Sequence, residues 1–118
     1  GLIFRRAERT FLPRGHQLDA QLRSDFQTTF SSLKVRRFIS KMCAGYQGTL
    51  HQLPALYRTI CCPTSILWAE LDAHFPVVHA TRLSQTIAGS TLQIIPDGTH
   101  WMPLTHPELL ADLIATDC

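Results

Sequence analysis

Nowhere in this 118-residue chain is there a run of about 18 apolar residues, which excludes a membrane-spanning helix. Internal repeats and low-complexity tracts are also missing, so neither a solenoid nor a disordered linker is expected. Charged residues make up only 17% against 45% hydrophobic residues, a globular balance that excludes an acidic tail. The cysteines, Cys43, Cys61, Cys62 and Cys118, have no C-x-x-C spacing, and the adjacent Cys61–Cys62 pair closes only in a strained ring. Reduced thiols in a cytoplasmic protein are therefore expected. His74 and His79 flank Phe75-Pro76, but their spacing matches no common ligand set, and no metal is expected. The opening Gly-Leu-Ile-Phe-Arg-Arg lacks both Met and a signal-peptide layout, and reads as the inside of a longer protein.

What is present is unevenly charged. Residues 1–60 hold ten Lys and Arg against Glu8, Asp19 and Asp25, a balance of +7. Residues 61–118 hold only Arg82 against six acids, a balance of −5. With no nucleic-acid motif and no interleaved aromatics, the basic half reads as a solvated face, and no nucleic-acid partner is expected.

The first eighteen residues, rich in arginine and broken by Pro13 and Gly15, read as a loop. Helices are predicted over 19–31 and 33–46, the second from Val35, Phe38, Ile39, Met42 and Tyr46 on one face, with Gly45 and Gly48 ending it. That stripe is expected to be core or the cover of a pocket. A short helix over 49–59 must accommodate Pro54. From Pro63 the pattern changes to strand 64–69, helix 77–87 closing at Gly89, strand 91–95 and a last helix from Pro107. Thr105 and Glu108 have the spacing of a capping box for that helix. Strand–helix–strand–helix is an α/β pattern with parallel strands. Two such strands cannot bury both faces and both edges alone, so the remainder of a sheet is expected upstream.

Each strand is followed by a loop at its carboxyl end, where open α/β sheets place their sites. One loop is Glu70-Leu71-Asp72-Ala73-His74-Phe75-Pro76 and the other Pro96-Asp97-Gly98-Thr99-His100-Trp101-Met102-Pro103. A carboxylate on the first can fix the tautomer of an imidazole on the second and stabilise it once protonated. The text from Cys62 to Asp72, then His100-Trp101 and Pro107-Glu108, resembles the C-terminal part of the α/β-hydrolase fold family. Ala69 and Thr99 stand where that family usually has glycine.

The resemblance implies 1–58 as a helical lid-like segment and 59–118 as the C-terminal core portion. It implies Asp72 as the triad acid and His100 as its base, 28 positions apart. Phe75, Trp101 and Met102 are the candidates for lining an apolar substrate pocket. The substrate class is an ester or a related small apolar molecule, as in esterase-, lipase-, epoxide-hydrolase- or dehalogenase-like members, with no cofactor. Triad order in this fold is nucleophile, acid, histidine. No Gly-x-Ser-x-Gly occurs in the chain, so the nucleophile, Ser or Asp, is expected upstream of Gly1. The 118 residues alone are then expected not to catalyse. The competing reading is a non-catalytic, truncated relative that acts as an interaction module.

Overall fold

A computed structural model describes residues 2–117 of the chain. Two parallel strands, β1 (Ser65–Ala69) and β2 (Thr91–Ile95), pair in register from Ser65 opposite Thr91 to Ala69 opposite Ile95. Both are rich in β-branched and large apolar residues, which suit a pleated, half-covered surface. Ile66, Ala69 and Ile95 are buried. The crossover between the strands carries a helix at Val78–Thr86, held against the sheet through the wholly buried Ala80. It stops as expected near Gly89, whose φ of +72° lies in the left-handed region that favours glycine.

The N-terminal half is largely helical. A helix covers Leu2–Phe11, where a loop is the sequence expectation. Pro13 and Gly15 do not break it; they follow it, and Gly15 makes the turn out at φ +85°. The next helix, Ala20–Ser31, starts where Asp19 accepts a hydrogen bond from the Leu22 N–H at 2.9 Å, an N-cap that satisfies one orphan donor. In chain order these two are α1 and α2. The third, α3, spans Leu33–Thr49 and runs through Gly45 and Gly48, which do not end it. Neither glycine has a positive φ, and a helix interior tolerates each at about 1 kcal/mol. A 3₁₀ turn, Leu50–Gln52, then leads to α4 (Leu53–Tyr57), with Pro54 in its first turn. The crossover helix is α5.

After β2 the chain forms α6 (Met102–Thr105) and α7 (Pro107–Asp117). The expected capping box does not form. Thr105 is the last residue of α6, and its hydroxyl bonds the Met102 carbonyl and the His106 ring instead of the start of α7. The N–H of Leu110 bonds back to the His106 carbonyl, so His106 is the residue that opens α7.

Two apolar clusters hold these parts together. Phe4, Leu12 and Leu18 form one, with Leu22, Phe26 and Trp101 packed against it. Ala69, Ile95 and Met102 form the other, with Leu67 and Leu109. Adjacent residues Trp101 and Met102 thus anchor one loop in both. The α3 stripe belongs to neither: Phe38 is 66% exposed, and Met42 and Tyr46 are exposed too. Cys43, Cys61 and Cys62 are free and exposed, whereas Cys118 lies outside the described residues. No helix among the described residues is long and apolar enough to cross a membrane.

Candidate active site

The loops leaving β1 and β2 are zipped together by backbone hydrogen bonds. Glu70 N–H donates to the Ile95 carbonyl at 3.0 Å and Leu71 N–H to the Gly98 carbonyl at 2.8 Å. Asp97 turns the second loop with a φ of 57°, a conformation that Asp tolerates better than most residues. Gly98 allows the close approach. A Cβ there would lie 3.1 Å from the Ile95 carbonyl oxygen and 3.2 Å from the Ala69 Cβ.

This zipping brings Asp72 and His100 together. Nδ1 of His100 lies 3.0 Å from Oδ2 and 3.2 Å from Oδ1 of Asp72. Oδ1 also accepts from the backbone N–H groups of His74 at 2.7 Å and Phe75 at 2.9 Å. That turn is itself held by the Trp68 indole N–H, which donates to the Phe75 carbonyl at 2.8 Å. The Asp72 side chain is only 10% exposed and that of His100 26%. Burial pushes the Asp72 carboxyl up and is the largest single influence. The hydrogen bonds from His100, Phe75 and His74, with the attraction to His100, together outweigh it and hold the carboxyl below its ordinary value. An ionised Asp72 can only accept, so it selects the His100 tautomer with the proton on Nδ1. Nε2 is left as the acceptor, the form a general base requires.

The other candidates separate. The Phe75 ring is half exposed and 5.6 Å from the His100 ring, so it borders the pair. Trp101 stacks on Phe26 at 5.8 Å, with Phe4 at 6.2 Å, so much of its surface serves the helical cluster. Met102 is 7% exposed and packs in the sheet cluster with Ala69 and Ile95, where it anchors the loop.

Two aromatic neighbours were not expected from the sequence. His74, weighed in the sequence as a metal ligand, has its ring 5.2 Å from that of His100. Phe11, the last residue of α1, has its ring 4.7 Å from His100 and 5.0 Å from His74. The cover beside the imidazole therefore comes from α1 rather than from the 33–46 region, which packs mainly against α2 and the 3₁₀ turn. The available signal was the seven-residue step from Phe4 to Phe11, two turns of one helical face, outweighed in the sequence by the surrounding arginines. A cavity of about 600 Å³ lies elsewhere, lined by Arg5, Glu8, Arg9, Arg14 and Arg23 among others, and includes neither Asp72 nor His100. Among the described residues, no group of three or more His, Cys, Asp or Glu could hold a metal ion.

No family model matches the chain, and no curated protein matches it in sequence. Among solved structures it is similar to a serine hydrolase involved in carbazole degradation, the CarC enzyme. The TM-score is 0.72 at 22% identity, over 98% of this chain and 45% of that one. The chain thus spans less than half the length of that enzyme. Its fold is that of the C-terminal part of an α/β-hydrolase.

Proposed function

We propose that this chain, with the fold of an α/β-hydrolase's C-terminal part, supplies the acid and the base of a nucleophile–Asp–His triad. The triad would hydrolyse an ester or a related small apolar substrate. The observation that carries this reading is the Asp72 carboxylate on Nδ1 of His100, at the carboxyl ends of adjacent parallel strands. In the reaction, Nε2 of His100 takes the proton of the attacking hydroxyl, or of water in the second step, and then returns one to the leaving group. Asp72 keeps the ring oriented and stabilises the imidazolium without taking the proton itself. Phe75 and the exposed edge of Trp101 offer apolar surface to the substrate. The nucleophile and the oxyanion donors come from outside these 118 residues, on the remainder of the sheet. The exposed thiols of Cys43, Cys61 and Cys62 support a cytoplasmic setting, and no cofactor enters this chemistry.

The test is to assay a p-nitrophenyl ester with the longest natural chain that contains these residues. Replacing His100 by Ala should abolish turnover, and Asp72→Asn should lower kcat by roughly 10⁴-fold through the wrong tautomer. Turnover that survives His100→Ala would sink the triad. The second reading, a non-catalytic interaction module, is favoured by one observation, the exposed Phe38, Met42 and Tyr46 of α3. It would be preferred if no strand-turn-helix bearing a nucleophile accompanies the chain.

A further inference from the structure

The residue before His100 is a threonine, and its side chain is 6% exposed, the one buried polar residue among those described. A buried hydroxyl requires a partner. Thr99 finds it 88 positions away, donating through Oγ1 to the backbone carbonyl of Phe11. The same carbonyl accepts the Trp101 N–H at 3.2 Å. Phe11 ends α1, so its carbonyl belongs to the last turn, whose acceptors have no partner within the helix. One helix terminus therefore grips the chain on both sides of His100, while the Phe11 ring lies against the imidazole. A glycine at position 99 would carry no hydroxyl for this grip.

We infer that Thr99 and Phe11 form a latch that makes the seating of α1 and the setting of the His100 imidazole a single event. Thr99 is a positioning residue. It acts through the backbone at 99–101 and fixes the distance over which Nδ1 meets Asp72. With α1 seated, the carbonyl, the hydroxyl and the Trp101 N–H satisfy one another, and the Phe11 ring limits rotation of the imidazole. With α1 displaced, two donors beside His100 lose their acceptor together, and the ring is freed. Helix α1 thereby controls whether the Asp72–His100 pair is assembled, in addition to covering it. This inference rests on the proposed role of that pair.

The test reads the imidazole directly, in the longest natural chain that contains these residues, labelled with ¹⁵N. Imidazole correlation spectra report the tautomer and the exchange of the Nδ1 proton, and amide exchange reports the Trp101 N–H. Thr99→Val keeps the shape and removes the donor. It should speed exchange of both protons roughly tenfold, the factor expected for one lost hydrogen bond, and Thr99→Ser should restore both. A role confined to packing would lower stability and leave the imidazole proton where it was. Phe11→Ala keeps the carbonyl and removes the ring, so it should free the His100 side chain while Trp101 stays protected. It decides the matter if Thr99→Val does not fold, and a His100 signal unchanged in Phe11→Ala then overturns the latch. Asp72→Asn separates the two claims. If it abolishes the Nδ1-proton signal while Thr99→Val changes neither proton, the latch is wrong and the pair stands. If Asp72→Asn also leaves the tautomer unchanged, the pair itself is wrong.

Discussion

Asp72 combines burial with three directed donors, and the donors win. Its carboxyl is held below the ordinary value by the His100 ring and by the two backbone N–H groups of its own turn, against the opposing pull of desolvation. A carboxylate depressed in the folded state contributes stability that is fully present above its unfolded value, near 3.9. That contribution is lost as pH falls through the lower folded value. Urea unfolding followed from about pH 5 down to about pH 2 should therefore show the native chain losing its advantage over Asp72→Asn as the carboxyl protonates. Two curves that stay parallel through that window would mean that the hydrogen bonds at 2.7–3.2 Å do not favour the ionised form. At this scale much was legible in the sequence: an acid after one strand and a histidine after the next. Gly98 was legible only as a turn residue, because its contact with Ala69 exists only once the two loops lie side by side.

Among the elements, α3 is the one whose burial differs from its pattern. Val35, Phe38, Ile39, Met42 and Tyr46 follow a helical period, and the helix forms there, longer than expected. Periodicity fixes which residues share a face, but it does not supply the surface that covers the face. Within this chain α3 lies mainly against α2 and the 3₁₀ turn, and Phe38 stays two-thirds exposed. Phe38→Ser should thus change the unfolding free energy by no more than about 0.5 kcal/mol, the range of surface substitutions. A loss of 2 kcal/mol or more, the cost typical of a core aromatic, would show that the stripe is covered in solution. The opposite case is α1, where arginine content masked a helix. Arginine is a good helix former, and its long stem leaves room for Phe4 and Phe11 to face the core.

The whole molecule is too open for its size. Its accessible surface is 9075 Å², where a self-contained protein of this mass exposes about 6,400 Å². Its radius of gyration is 16.4 Å, against about 13.5 Å for a compact domain of this length. No large side chain among the described residues is fully buried, and both strands of the sheet are edge strands. Unpaired backbone edges and uncovered apolar surface both favour association. Sedimentation of the isolated chain should show mass rising with concentration, with strong binding of a hydrophobic dye. A dye-silent monomer at all concentrations would contradict the open architecture.

The sequence by itself determined the local parts: two parallel strands, the helices around them apart from α1 and α6, and an acid and a histidine at strand ends. These follow from periodicity, turn chemistry and spacing, which act over a few residues. Only the tertiary structure decided which distant surfaces meet. It set the Phe11 carbonyl against Thr99, turned Trp101 and Met102 into different clusters, placed His74 beside His100 and left Phe38, Met42 and Tyr46 of the α3 stripe exposed. Each of those outcomes depends on how separate elements pack, and a contact spanning 88 positions leaves no periodic trace in the order of residues along the chain.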